Sequence, residues 1–312
     1  MAKFIQLGLL GPEIPKTPYT EDMDFLREKM QQFWTHQLKG VLSDRPDIIA
    51  LPEMCDRYDN FTPPQRQAYF LANGRALFEF WSNVARENHC YVVYATAVPM
   101  PDGTWRNAAI LLGRDGTEVG RYHKNCLVEI AVEPNNMRCG KDVPVFQCDF
   151  GRVAMAICFD LNFPEMLAKY EKLRPNLILF PSRYHGGYLQ GHWAYSCRSW
   201  FGGASAGLPC TVYNPVAMQC AATTNYFPWT STRINMDYEV VHLNRHWEKL
   251  QAARDKYGQA IRVLDPGLVG AVMVESLQQG LSAAQVLEEF DIMRLDDYWA
   301  IERACWERYQ ED

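Results

Sequence analysis

The sequence has no long hydrophobic run and no excess of positive charge. No apolar stretch in the 312 residues approaches the roughly 20 residues that a membrane-spanning helix needs, so we expect no membrane partner. The chain carries 31 basic and 37 acidic residues, which gives a net charge of −6. Because a nucleic-acid partner usually requires a basic face, this balance argues against nucleic-acid binding.

The ten cysteines are scattered along the chain, and no two of them form a CxxC pair. This spacing argues against a zinc ribbon and against a thioredoxin-like redox site. No N-terminal signal sequence is recognised either. We therefore expect reduced thiols in a cytoplasmic protein. A chain of this length can bury a core large enough to fold without disulfides or a structural metal.

Apolar runs bounded by turn residues alternate with segments of helical spacing over most of the chain. The predicted strands are residues 4–10, 47–53, 91–98, 107–113, 153–159, 176–180, 210–213, 231–236 and 239–243. The predicted helices are residues 21–38, 63–89, 164–173, 190–206 and 244–257, with two more after residue 282. This alternation predicts an α/β fold, and adjacent hairpin signals predict mixed sheets. No break in composition divides the chain, so we expect one main domain.

A cysteine lies at the end of one predicted strand, where the chain turns into a helix. This segment runs from Ile157 to Glu165, with Cys158 as its second residue and Pro164 at the expected helix start. Backbone N–H groups at a helix start stabilise both a thiolate and an oxyanion. Taken alone, however, a buried cysteine is more often a small core residue.

Two further segments carry side chains that could activate this thiol. Glu53 ends a strongly apolar predicted strand, and Lys124 lies among aromatic and polar residues. Taken singly, they would be an exposed loop acid and a surface lysine. A thiol with a pKa near 8.5 needs a base or a cation to act as a nucleophile near neutral pH. Glu53 and Lys124 would supply one of each.

Together the three segments resemble the signatures of the nitrilase superfamily of carbon–nitrogen hydrolases. They read Pro-Glu, His-Lys-x-x-Leu and Cys-aromatic-Asp-x-x-Phe-Pro-Glu, in the family's order and with compatible spacing. The resemblance extends from residue 3 to about residue 215 and returns at residues 296–298. It implies a four-layer α-β-β-α sandwich with two mixed sheets, formed by residues 1–280. It also implies a homodimer or larger homo-oligomer, with a helical tail at residues 281–312 in the interface.

The resemblance also implies catalytic roles for individual residues. Glu53 would take the proton of Cys158, and Lys124 with the backbone N–H of Phe159 would stabilise the oxyanion. Many members have a second catalytic glutamate after the lysine. Spacing to the cysteine favours Glu133 for this position over its competitor, Glu129.

No cofactor is implied, because the family uses no metal. His242 and His246, four residues apart, could bind a metal ion, but no third ligand is evident in the sequence. We interpret the pair as part of a solvated helix face. Arg183 and Tyr184 follow a predicted strand, in a loop where the resemblance places substrate-binding residues.

The predicted reaction is hydrolysis of a small amide to a carboxylic acid and ammonia through a thioester at Cys158. The Cys-Phe-Asp segment is similar to general amidases rather than to the Cys-Trp-Glu form of true nitrilases. Hydrolysis of N-carbamoyl amines or of nitriles is the alternative within this class. A non-catalytic binding or assembly protein is the alternative from another class. Leu161 and Asn162 stand where some members carry an arginine for a substrate carboxylate, which argues against an acidic substrate unless Arg183 takes that role.

Overall fold

The computed structural model describes residues 3–310, which form two compact units. The larger unit comprises residues 6–214 and 219–233. The smaller unit comprises residues 3–5, 215–218 and 234–310 of the described chain. The smaller unit therefore holds residues 281–310 together with 234–280, and the predicted boundary at residue 280 stays a prediction.

The strands and helices alternate along the chain, as the sequence predicts. The strands are β1 (Phe4–Leu10), β2 (Ile48–Ala50), β3 (Tyr91–Pro99), β4 (Trp105–Leu112), β5 (Glu118–His123), β6 (Val145–Cys148), β7 (Gly151–Met155), β8 (Leu177–Ser182), β9 (Trp200–Ser205), β10 (Thr211–Tyr213), β11 (Gln219–Ala222), β12 (Trp229–Asn235), β13 (Tyr238–His242), β14 (Ile261–Leu264) and β15 (Ala271–Ser276). The helices are α1 (Met23–Leu42), α2 (Pro63–Asn88), α3 (Glu129–Val132), α4 (Pro164–Leu173), α5 (Tyr188–Cys197), α6 (Trp247–Tyr257), α7 (Ala283–Glu289) and α8 (Leu295–Tyr309).

Two six-stranded sheets are both mixed, which confirms the prediction. The first has the order β12-β1-β2-β3-β4-β5 and the second the order β11-β10-β9-β8-β7-β6. In the first sheet, β1, β2 and β3 are parallel, while β3, β4 and β5 are antiparallel. In the second sheet, β7, β8 and β9 are parallel and the outer strands pair antiparallel.

The two sheets pack face to face in the larger unit, with helices on both outer faces. Gly202 on β9 lies at the junction, because a Cβ there would come within 3.2 to 3.3 Å of Leu179, Leu7 and Leu9. Helices α1 and α2 pack on the first sheet through one hydrophobic cluster, and α4 and α5 on the second through another. The predicted four-layer α-β-β-α architecture is confirmed.

Several predicted boundaries are wrong, and two of them bear on the site. The strand predicted over 47–53 ends at Ala50, and the strand predicted over 153–159 ends at Met155. The helix predicted over 190–206 is helix α5 followed by strand β9. Arg198 ends α5 in the left-handed conformation, with φ of 53°. Every residue of β9 is buried, so β9 shows no alternation of polar and apolar residues by which to recognise a strand.

The smaller unit contains a three-stranded sheet, of order β13-β15-β14. The predicted histidine pair lies here, but not on a solvated helix face, so that interpretation is wrong. His242 ends β13 and stacks on Tyr298, with ring centroids 4.4 Å apart. His246 is buried and accepts a hydrogen bond from the backbone N–H of Met293. Both histidines pack inside this unit.

Within residues 3–310, no three or more His, Cys, Asp or Glu side chains are arranged to hold a metal ion. No helix in this part of the chain has the length and hydrophobicity required to cross a membrane.

Candidate active site

The larger unit encloses a cavity of about 370 Å³, within the range of pockets for small molecules. Glu53, Lys124 and Cys158 all line it, so three of the four predicted catalytic residues meet at one place. The remaining wall is largely apolar, with Phe70 and Trp105 as its aromatic members.

Glu53 lies in the loop that follows β2 and is held there by the neighbouring strand. The backbone N–H of Leu51 donates to Val93, and that of Cys55 donates to Ala95, at 2.9 and 3.0 Å. Glu53 therefore stands between two anchored residues, beyond the end of the strand. The residue is buried, with 5% of its surface exposed.

Two donors converge on one oxygen of the Glu53 carboxylate. Lys124 Nζ and Asn107 Nδ2 each donate to Oε1 at 2.7 Å. Burial alone would raise the pKa of Glu53. The charge and hydrogen bond of Lys124, with hydrogen bonds from Cys158 and Asn107, outweigh burial and lower this pKa. Glu53 is therefore a carboxylate at neutral pH.

Lys124 follows β5 and is fixed by backbone hydrogen bonds on both sides. Its N–H donates to Asn107 O at 2.9 Å, and its carbonyl accepts from Gly140 at 2.8 Å. A Cβ on Gly140 would lie 2.2 Å from the His123 carbonyl oxygen, so only glycine fits this approach. Burial would lower the pKa of Lys124, but the charge of Glu53 and its neighbours raises it. Lys124 is therefore an ammonium ion.

Cys158 opens a 3₁₀ helix, residues 158–162, three residues after β7 ends. Its φ is 47°, a left-handed conformation that is uncommon outside glycine and that clusters at functional sites. Burial and the charge of Glu53 raise the pKa of the thiol to about 11, although Lys124, Arg183 N–H and Ser182 act in the opposite direction. Cys158 is therefore a neutral thiol at rest, beside a Glu53–Lys124 ion pair.

Asp160 joins the turn that carries Cys158 to the segment that carries Lys124. The sequence assigned it no role. Its buried carboxylate accepts hydrogen bonds from Ile157 N–H, Tyr122 Oη and Cys126 N–H, at 2.9, 2.7 and 2.7 Å. Tyr122 and Cys126 flank Lys124. The carboxylate therefore holds the lysine segment against the turn that carries the thiol.

The other predicted site residues are placed differently. Arg183 lines the cavity, but Phe159, Tyr184 and Glu133 do not. Phe159 packs on Phe163, with ring centroids 5.3 Å apart, although its backbone lies in the first turn of the 3₁₀ helix. The side chain of Glu133 is exposed at the end of α3. The structure does not bring Glu133 to the thiol, and its catalytic role stays a prediction.

Tyr184 and Glu129 also lie away from the cavity lining. The Tyr184 ring packs on Phe180, with centroids 6.2 Å apart, and its carbonyl accepts a hydrogen bond from Ser182 Oγ at 2.6 Å. Tyr184 thus stabilises the loop after β8. Glu129, the competitor of Glu133, is exposed in the first turn of α3.

A second buried carboxylate, Asp56, lies three residues after Glu53. Its Oδ2 accepts from Thr96 Oγ1 at 2.7 Å, while Oδ1 has no partner among the described residues. Burial raises the pKa of Asp56 to about 7. Since the unfolded chain would ionise near 3.9, this group stabilises the fold fully below that pH. Its contribution is lost as the pH rises to about 7.

Asp56→Asn is expected to remove this part of the pH dependence. Between pH 4 and pH 7.5 the free energy of unfolding should fall by up to roughly 4 kcal/mol more in the wild type than in the variant. Denaturant titrations at both pH values measure the difference. Exposed Asp44 on the α1–β2 turn offers a control, Asp44→Asn. Equal slopes in the wild type and Asp56→Asn would contradict the assignment.

Comparison with known proteins identifies the family. The model of the carbon–nitrogen hydrolase family matches residues 19–262. Omega-amidase NIT2 of Xenopus tropicalis is 26% identical over 167 residues, which are 50% of this chain and 58% of that protein. Deaminated glutathione amidase of Synechocystis is 27% identical over 160 residues, 47% of this chain and 58% of that protein. The matched region thus spans less than two thirds of the length of these curated relatives.

Solved structures share the fold over more of the chain. The C. elegans NitFhit protein superposes with a TM-score of 0.65 at 15% identity, covering 92% of this chain and 98% of that one. Saccharomyces cerevisiae Nit3, described as a member of branch 10 of the nitrilase superfamily, has a TM-score of 0.61 at 16% identity. It covers 82% of this chain and 95% of its own. With the family model matching most of the sequence, the chain belongs to the carbon–nitrogen hydrolase family.

Proposed function

We propose that the protein hydrolyses a small-molecule amide to a carboxylic acid and ammonia, through a thioester at Cys158. The observation that carries this proposal is the convergence of a thiol, a carboxylate and an ammonium ion in one cavity. Lys124 Nζ lies 2.7 Å from Glu53 Oε1, and both side chains interact with Cys158. The names of the curated relatives, two kinds of amidase, favour an amide over a nitrile.

In the first step the Cys158 sulfur attacks the amide carbon while its proton passes to Glu53. A thiol with a pKa near 11 holds little thiolate at neutral pH, so proton transfer must accompany attack. The negative charge that develops on the amide oxygen is stabilised by the Lys124 ammonium ion. The Phe159 N–H contributes a second donor, because the first turn of a helix has N–H groups without an intrahelical acceptor.

In the second step Glu53 gives this proton to the amide nitrogen, the carbon–nitrogen bond breaks, and ammonia leaves. A water molecule then attacks the thioester carbon and transfers a proton to Glu53. The carbon–sulfur bond breaks, and that proton returns to the sulfur. Glu53 thus acts as base, then acid, in each half of the reaction. The sum is amide plus water giving carboxylic acid plus ammonia.

The test is ammonia release from a panel of small amides, N-carbamoyl amines and nitriles, with Cys158→Ala as the inactive control. We expect turnover of at least one amide by the wild type and none by Cys158→Ala. Added hydroxylamine should intercept the thioester and yield a hydroxamate. Direct attack of water on the amide, without a covalent intermediate, would not produce one. Cys305→Ala, at an exposed cysteine of α8, serves as the matched control and should behave as the wild type.

Three outcomes would overturn the proposal or part of it. Turnover that survives in Cys158→Ala would exclude the thioester. Release of ammonia from N-carbamoyl amines or nitriles alone would move the protein to another substrate class within the family. No turnover of any panel member would favour a binding protein on the same scaffold.

A further inference from the structure

Three arginines line the cavity that contains Cys158. They are Arg57, from the loop after β2, Arg66, from the first turns of α2, and Arg183, from the loop after β8. No two of them lie on the same loop or helix, so the fold brings three separate segments to one wall. A guanidinium group is the side chain best suited to bind a planar carboxylate through two parallel hydrogen bonds.

One carboxylate, that of Asp59, is shared by two of these arginines. Arg57 donates to Asp59 Oδ1 from Nε at 3.0 Å and from Nη2 at 2.9 Å. Arg183 donates to Oδ2 of the same residue. Arg66 reaches only the backbone carbonyl oxygen of Asp59, at 2.7 Å. Its Nε is buried and has no acceptor among residues 3–310.

Positive charge in this wall exceeds what the neighbouring acids can balance. Glu53 is the sole acid among the described residues that line the cavity, and Lys124 already pairs with it. Asp59 is then the carboxylate that accepts hydrogen bonds from Arg57 and Arg183. Arg57 also lies near the buried Asp56, whose raised pKa limits its negative charge. Burial, followed by the positive charge of Arg57, lowers the pKa of both Arg66 and Arg183. An added anion would relieve this repulsion.

On the basis of the proposed amide hydrolysis, we infer that Arg57, Arg66 and Arg183 bind a carboxylate at the far end of the substrate. Arg183 links this subsite to the reacting atoms, because its backbone N–H faces the Cys158 sulfur while its guanidinium group reaches Asp59. Carboxylate and amide would therefore be separated by a short chain. The substrate class is the monoamide of a short dicarboxylic acid.

The apolar part of the wall suits the carbon chain of such a molecule. Phe70, Trp105, Leu127 and Met137 line the cavity together with the arginines. Leu161 and Asn162 stand where some family members carry an arginine for a substrate carboxylate. Here Arg57, Arg66 and Arg183 would take that role. These come from segments remote from the nucleophile in sequence, so an acidic substrate is favoured after all.

Arg66→Gln provides the test, because Arg66 contacts neither the thiol nor the Asp59 carboxylate. Succinamate and butanamide serve as probes that differ in a terminal carboxylate. In the wild type we expect succinamate to have the higher kcat/KM. In Arg66→Gln the KM for succinamate should rise roughly 10- to 100-fold, since a charge-assisted hydrogen bond is lost, while butanamide stays within about twofold. Arg75→Gln, at an exposed position of the same helix, is the matched control and should match the wild type.

Equal loss on both probes in Arg66→Gln would indicate a structural role and overturn the subsite, as would a wild type that prefers butanamide. Arg57→Gln repeats the comparison should Arg66→Gln fail to fold. If no amide is turned over, the proposed function fails. The carboxylate subsite is then tested separately, by measuring the binding of succinate with calorimetry. Succinate binding that is lost in Arg66→Gln and kept in Arg75→Gln would support it, and absence of binding to the wild type would overturn it.

Discussion

Glu53→Gln is expected to lower kcat/KM for amides by about 10²- to 10⁴-fold. The variant should still fold, but with lower stability, because the buried Lys124 ammonium ion loses its counter-ion. Glutamine keeps the shape of the side chain, and its oxygen can still accept from Lys124 and Asn107, as Oε1 does now. Its amide nitrogen cannot take the proton of Cys158. The attack step then has no base, although the thiol, the ammonium ion and the cavity all remain.

The same variant should lower the pKa of the Cys158 thiol and so make it more reactive towards an alkylating agent. The negative charge of Glu53 helps to hold the pKa of Cys158 near 11, while Lys124 lowers it. Removal of that charge should therefore shift alkylation of Cys158 by iodoacetamide to lower pH, even as turnover is lost. Peptide mass spectrometry follows Cys158 separately from the exposed cysteines.

Glu79→Gln, at an exposed position of α2, is the control and should leave both measurements unchanged. Near-normal turnover in Glu53→Gln would mean that another carboxylate is the base. Glu133→Gln belongs in the same series, because this exposed residue is the second glutamate that the sequence favours. A large loss in Glu133→Gln would show that the segment closes on the cavity when substrate binds.

The sequence is informative where function depends on the ends of strands. Glu53, Lys124 and Cys158 each follow a strand closely, at residues 50, 123 and 155. Strand patterns and the family resemblance were together sufficient to predict that the three would meet. Asn107 and Asp160 were not predicted, because their roles depend on which segments become neighbours. Asn107 reaches Glu53 from β4, and Asp160 reaches backbone beside Lys124.

The cluster of Arg57, Arg66 and Arg183 could not be predicted from the sequence, and neither could strand β9, for related reasons. Arg57 and Arg66 lie in a loop and in a helix, and either would be read as an ordinary surface arginine. Only the approach of both to Asp59 and to the loop after β8 makes them a cluster. Strand β9 is buried on both faces, so its pattern does not distinguish strand from helix. In each case the missing information is long-range packing.

Lys124→Met is expected to destabilise the fold as well as to abolish turnover. Removal of one partner from a buried ion pair costs about 3–5 kcal/mol, because the other charge is left uncompensated. Glu53 is 5% exposed, and without Lys124 burial would raise its pKa. In the wild type the lowered pKa of Glu53 contributes stability that is lost as the pH falls through it. In Lys124→Met the sign reverses, and stability is lost as the pH rises through the raised pKa.

The double variant Glu53→Gln/Lys124→Met separates stability from catalysis. With both charges removed, no buried charge is left unpaired, so most of the lost stability should return while activity stays absent. Denaturant titrations at pH 5 and pH 8 on the wild type, the two single variants and the double variant measure the coupling. Lys39→Met, at an exposed position of α1, controls for the loss of a lysine. A single variant Lys124→Met as stable as the wild type at pH 8 would mean that water, and not Lys124, balances the Glu53 charge. The electrostatic stabilisation of the oxyanion proposed above would then lose its basis, because an ammonium ion in a hydrated site is worth far less to a developing charge than one in a dry cavity.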